Sequence, residues 1–91
     1  MTVRDNPELG RYEAIVDGKL AGSIVYREVD DAVVLVHTQV EEEFEGQGIG
    51  RQLVGATLDD IRARGLRMRP FCPFVKAYVE RHPEYRDLIA A

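Results

Sequence analysis

Three side chains in this sequence could do chemistry: Cys72, inside Phe71-Cys72-Pro73-Phe74; Tyr78, six residues further on; and His37, near the end of a β-branched apolar run. A thiolate at a helix start is a nucleophile whose pKa the helix dipole lowers. An imidazole that titrates near neutrality can take a proton from an amine. A fourth feature is backbone chemistry: Gly46, Gly48 and Gly50 lie within five residues, just before an amphipathic stretch. The first N–H groups of a helix have no internal partners, the dipole adds positive potential, and glycine lets an anion approach the backbone closely.

Each feature also has a plain structural reading. Cys72 sits among apolar neighbours and suits a small buried hydrophobe. Tyr78 could be a core aromatic, and His37 a half-buried structural histidine. The glycine turn could serve only tight packing of helix on strand. His82, before Pro83, suits a cap at a helix end. Two familiar phosphate loops do not fit. A Walker-type loop needs Gly-Lys-Ser/Thr, and no lysine is present here. A dinucleotide fingerprint needs a third glycine where this chain has Leu53.

The elements that must position these residues follow from periodicity. Residues 11–16 alternate and predict a strand; Asp17-Gly18 is a hairpin signal; residues 21–29 and 32–40 predict two more strands, joined at Asp30-Asp31. Turns this short make an antiparallel meander. Ile49, Leu53, Val54, Leu58 and Ile61 occupy about half a helix circumference, so residues 48–64 predict a helix, ended by Gly65. Residues 66–71 predict a short strand, Pro73 a helix start, and 74–82 its body. The expected order is β-β-β-α-β-α. A helical crossover makes the third and fourth strands parallel and the βαβ unit right-handed.

Bulk properties narrow the function classes. With 91 residues, one domain spanning 1–91 is expected. The net charge of −4 argues against a general nucleic-acid binder. One cysteine leaves no thiolate zinc cluster, and no metal site is expected. No apolar run approaches the ~20 residues of a membrane span, and the first ten residues do not read as a signal peptide. A cytoplasmic protein without membrane or nucleic-acid partners is therefore expected, its oligomeric state (monomer or homodimer) left open.

Residues 40–54, Val-Glu-Glu-Glu-Phe-Glu-Gly-Gln-Gly-Ile-Gly-Arg-Gln-Leu-Val, resemble the acetyl-CoA loop of the GNAT acetyltransferase superfamily. Gly48 and Gly50 match its two small positions; Glu45 stands where glutamine or arginine is usual. Residues 70–85, containing Cys-Pro-Phe-Val-x-x-Tyr and His-Pro, resemble a very small GNAT-like subfamily, as does His37-Thr38-x-Val40. The resemblance covers about residues 10–90.

The resemblance implies a minimal GNAT-like fold that binds acetyl-CoA or coenzyme A. It places the pyrophosphate on the N–H groups of Glu45, Gly46, Gln47, Gly48, Ile49, Gly50 and Arg51. The pantetheine arm would pair with strand backbone near Gln39 and Val40. Arg51, Lys76 and Arg81 are candidate cationic partners. Cys72 is implied at the thioester, Tyr78 as donor to the departing thiolate, and His37 is the candidate base. The acidic run Glu41, Glu42, Glu43 and Glu45 reads as a solvated face or as an attractor for a cationic amine. The helices that cover the acceptor in longer relatives have no counterpart between the first two strands, which Asp17-Gly18 joins directly. The leading expectation is an N-acetyltransferase acting on an unidentified amine, such as a protein lysine or a polyamine-like acceptor. A non-catalytic acyl-CoA-binding or regulatory module is the alternative, and a scaffold with a purely structural glycine turn is the third.

Overall fold

Two-residue turns shape the first half of the chain. Asp17-Gly18 joins β2 (Arg11–Val16) to β3 (Lys19–Val29), and Asp30-Asp31 joins β3 to β4 (Ala32–Val40). All four turn residues have positive φ, from 50° to 77°. That geometry matches the right-handed twist of paired strands, and a short Asp side chain tolerates it better than most. The structure, a computed structural model, describes residues 1–90.

After β4 come a 3-10 turn (Glu42–Phe44), helix α1 (Ile49–Ala63), strand β5 (Arg67–Pro70), helix α2 (Pro73–Arg81) and a second 3-10 segment (Pro83–Leu88). One mixed sheet results, in spatial order β1-β2-β3-β4-β5, with β4 and β5 parallel and the rest antiparallel.

The expected β-β-β-α-β-α order lacks one element. A further strand, β1 (Thr2–Asn6), precedes the others and pairs antiparallel with β2. Its sequence, Thr-Val-Arg-Asp-Asn, holds one apolar residue and two poor strand formers, so periodicity does not mark it. Tertiary contacts supply what propensity lacks. Val3 packs on the core, and Asp5 accepts hydrogen bonds from Tyr26 Oη (2.6 Å) and Arg64 Nη1 (3.0 Å).

α1 lies across the sheet and α2 packs beside it against β4 and β5. Leu53, Leu58 and Ile61 of α1 meet Ile24, Leu35 and Met68 of the sheet, all fully buried. Each such side chain contributes roughly 1.5–3 kcal/mol of transfer free energy. Tyr12 Oη donates to Asp60 at 2.6 Å and fixes the C-terminal half of α1 over β2.

The opposite face of the sheet carries no helix, and Val25, Val29 and Val36 stay exposed there. One carboxylate on it is covered: Glu13 accepts from Arg4 Nε (2.9 Å) and Arg11 Nε (2.7 Å). A single layer of side chains hides it. Burial pushes the Glu13 carboxyl up, but the bonds from Arg11, Arg4 and Asn6 outweigh that and hold it below its ordinary range.

β4 contains a bulge. Tyr26 pairs with Leu35 and Val25 with His37, so Val36 is the extra residue. From His37 onward every residue of β4 faces the side opposite to that predicted by alternation from Val33 and Leu35. No helix is long and apolar enough to cross a membrane among the described residues.

Candidate active site

The site begins with a break in hydrogen bonding. Phe44, buried, anchors the 3-10 turn, whose backbone closes with Phe44 N–H donating to Glu41 O and Glu45 N–H to Glu42 O. The N–H groups from Gly46 to Arg51 take no part in such bonds. Gly48 caps α1 at φ 73°, with no side chain satisfying the first turn and no acidic residue in it. Glycine is required here: the conformation is left-handed, and an added Cβ would lie 3.0 Å from Arg51 Nε. The guanidinium of Arg51 thus folds back over the turn. The donors, the dipole and two cations, Arg51 and Arg81, converge on a groove lined also by Val40, Glu45, Gly48 and Phe74.

Val40, on the groove wall, ends a strand edge that β5 leaves unpaired. β5 ends at Pro70, paired with Leu35, while β4 runs on to Val40. Cys72 N–H donates to Leu35 O at 2.9 Å, the last bond joining the two strands before the chain turns into α2. Glu41 N–H, by contrast, donates to Ala21 O on β3. By alternation from Glu41, Gln39 turns its backbone toward β3, while Thr38 and Val40 turn theirs toward the gap left by β5.

Cys72 lies at the head of that gap as N-cap of α2, 3% exposed. Its sulfur is 3.3 Å from Thr38 Oγ1. Burial pushes the thiol up. The Thr38 hydroxyl and the N–H groups of Val75, Phe74 and Thr38 outweigh it, and the net pKa lies below the ordinary thiol value. Those N–H groups face the sulfur too loosely to form a cap hydrogen bond. Access and acidity therefore oppose each other. Iodoacetamide should alkylate Cys72 more than about tenfold slower in the folded protein than in urea, read by mass spectrometry. Equal rates would show the sulfur to be open to solvent.

Of the residues singled out in the sequence, Val40, Glu45, Gly46, Gly48, Ile49, Gly50 and Arg51 line the one groove. Gln47 lies in the same turn but not on the groove wall. Gln39 departs from expectation: the bulge commits its backbone to β3, and its side chain turns to Glu41 (3.4 Å). His37 also departs. It is exposed on the open face rather than sharing a face with Val33 and Leu35. Lys76 is on the far flank of α2, beside Val79 and Ile89, and Arg81 is the cation that α2 turns to the groove.

Tyr78 lies between the helices. An added Cβ at Gly55 would lie 2.7 Å from its hydroxyl, and its ring stacks on His82 at 4.1 Å. Burial, with the negative charges of Asp59 and Glu84, pushes its phenol up and keeps it protonated. Tyr78 and His82 share a second stretch of groove with Arg51, Phe74 and Arg81. His82 is the C-cap residue of α2, as its place before Pro83 suggests. In the acidic run, Glu43 is drawn off by Lys19 (3.1 Å).

Sequence reasoning missed Thr38 and Phe74. The Thr38 role depends on a bulge that periodicity cannot reveal. Phe74 packs its ring where a Gly50 side chain would stand, 2.8 Å from the missing Cβ, so the small residue at 50 and the ring at 74 form one contact.

Residues 11–88 match the family model described as GCN5-related N-acetyl-transferase. No curated protein is a significant match to the sequence. Among solved structures, a GCN5-like candidate N-acetyltransferase from Staphylococcus aureus is similar, with a TM-score of 0.71 and 25% identity over 99% of this chain and 88% of that one. The ribosomal-protein-alanine N-acetyltransferase from Brucella melitensis biovar Abortus 2308 is similar in fold, with a TM-score of 0.61 and 23% identity over 89% of this chain. This chain spans 61% of that structure's length.

Proposed function

The chain belongs to the GCN5-related N-acetyltransferase family, and from that premise we propose that it transfers acetyl from acetyl-CoA to an amine as a single GNAT-like domain. Its Cys-Pro-Phe-Val and His-Pro residues support membership of the very small GNAT-like subfamily. One observation carries the reading: the donor-rich turn at Gly46–Arg51 opens into a groove walled by Val40, the last residue of a β4 edge that β5 leaves unpaired beyond Leu35.

The residues fit the cofactor. The unpaired N–H groups at the start of α1, with Arg51 and Arg81 on the groove wall, suit a pyrophosphate. Thr38 and Val40 offer backbone donors and acceptors to an amide-bearing arm. When bound, acetyl-CoA supplies an activated acetyl group: an amine nitrogen forms a C–N bond to the thioester carbonyl carbon, the C–S bond breaks, coenzyme A leaves as thiolate, and the amine gives up one proton.

The chain's own groups then have separate tasks. Cys72 and Thr38 form the end wall of the gap and position what reaches it. His37, exposed on the open side of β4, is the imidazole proposed to take the amine proton. Tyr78, protonated in the helix–helix groove, is the phenol proposed to supply one to the thiolate. The absence of a helix between β2 and β3 leaves the acceptor side of β4 uncovered, which favours a large acceptor over a small enclosed one. The same openness is what a non-catalytic acyl-CoA-binding module would have.

The test is the melting temperature with and without acetyl-CoA. Ligand at 100 times its Kd adds about 2.7 kcal/mol. A domain of this size shifts by roughly 4–8 °C per kcal/mol, so a rise above about 10 °C is expected, with none from ATP or NAD. No shift at millimolar acetyl-CoA would overturn the reading. A shift without acetyl transfer to any amine would leave the binding module.

A further inference from the structure

The open face of the sheet has a charge pattern that the acetyl-CoA groove does not use. Arg27 pairs across β3–β4 with Val34, and Val34 pairs across β4–β5 with Arg69. The three stand in one row, which at strand spacing puts the two arginine backbones about 10 Å apart. Around Val34 lies a shallow apolar trough formed with Val29, Val36 and Phe71. Phe71, 68% exposed, is the most exposed large apolar side chain of the described residues, and it directly precedes Cys72.

Among the described residues, no ion pair includes Arg27 or Arg69. Further along the same face, Arg4 and Arg11 flank Glu13. By strand alternation a chain of net charge −4 gathers Arg4, Arg11, Arg27, Arg67 and Arg69 on its uncovered face, against Glu13 and, beside Gln39 at the end of β4, Glu41. Cations set around an apolar floor, beside the head of the gap, are a recognition pattern.

Three occupants can be compared. A second copy of this face would set the same arginines against themselves, which like-charge repulsion opposes. A nucleic acid would meet the arginines but leave the apolar floor unused. An acidic peptide satisfies both parts, with carboxylates for the guanidinium forks and an apolar side chain for the trough.

We propose that this face docks the acceptor as an acidic peptide segment with a free amine, its carboxylates on Arg27 and Arg69 and an apolar side chain over Val34, Val36 and Phe71. Acetylation of the docked segment rests on the acetyltransferase reading; the docking itself rests on the face alone.

The experiment uses fluorescence anisotropy with a short acidic peptide, free at its amino terminus and labelled at the other end. Its counterpart has every glutamate replaced by glutamine, and a labelled single-stranded DNA oligonucleotide of equal charge is the third probe. The acetyl-CoA melting shift is measured on the same samples. The expected result is at least tenfold tighter binding of the acidic peptide than of its neutral counterpart. The Arg27→Gln/Arg69→Gln double variant should lose that preference while its acetyl-CoA shift is unchanged. Both substitutions lie on the uncovered face, and Phe71→Ser, which leaves the cations in place, should weaken both peptides alike. Equal binding of the two peptides, an undiminished preference in the double variant, or tighter binding of the oligonucleotide would each overturn the proposal. Failure of the acetyl-CoA shift with the peptide preference intact would overturn the acetyltransferase reading and leave the docking surface standing.

Discussion

Gly48→Glu is expected to abolish acetyl-CoA binding. Two separate effects act at that residue. Gly48 has φ 73°, a region that costs an L-residue roughly 1–2 kcal/mol, and its Cβ would press on Arg51 Nε at 3.0 Å. The new carboxylate would then occupy the N–H groups at the head of α1 and pair with the guanidinium meant for a phosphate. Like charge at an anion site costs several kcal/mol, so affinity should fall at least ~100-fold, equivalent to about 2.8 kcal/mol. Gly48→Asn separates the two effects, because Asn tolerates the left-handed region and carries no charge. Titration calorimetry should find Asn weakened far less than Glu. If the Glu variant binds acetyl-CoA within a few-fold of the parent, the turn is not the phosphate site.

Gly22→Val is expected to lower the melting temperature by more than about 10 °C. Gly22 sits on β3 opposite Val40, under the first turns of α1. An added Cβ would lie 2.9 Å from the backbone oxygen of Gln39, 3.4 Å from Ile49 Cγ2 and 3.5 Å from Leu53 Cδ2. A backbone oxygen held by the β3–β4 ladder cannot move aside as a side-chain tip can. Overpacking of this kind costs about 1–3 kcal/mol, and a strand carbonyl as the obstacle puts it at the upper end. At roughly 4–8 °C per kcal/mol the loss is plain in a thermal scan. Because the obstruction presses on both β4 and the first turns of α1, the groove between them should suffer with the fold, and whatever folds should bind acetyl-CoA poorly. A melting temperature within about 2 °C of the parent would show that β4 and α1 do not approach Gly22 as closely as these distances require.

Most of the fold is written in local pattern. The 32–40 strand, the 48–64 helix and the two hairpin turns follow from β-branched content, a 3.6-residue apolar period and Asp-rich turn residues, and the structure has them within about one residue at each helix end. The anion-binding turn is legible for a similar reason. Gly46, Gly48 and Gly50 act through backbone conformation and closeness of approach, which depend on residue type and local spacing alone.

The rest belongs to tertiary structure. β1 exists because β2 offers it an edge and Tyr26 and Arg64 hold Asp5, not because Thr-Val-Arg-Asp-Asn favours a strand. His37 and Gln39 change sides because one extra residue, Val36, enters β4; alternation reports a face only while the register is unbroken. Lys76 and Arg81 look equivalent as helix cations, and only the packing of α2 on α1 decides that Arg81 meets the groove. Local sequence sets the chain's elements and its phosphate-type turn, because these depend on neighbours three or four residues away. Which side chains share the site is set by a bulge, a sheet edge and a helix rotation, each fixed by contacts between residues tens of positions apart.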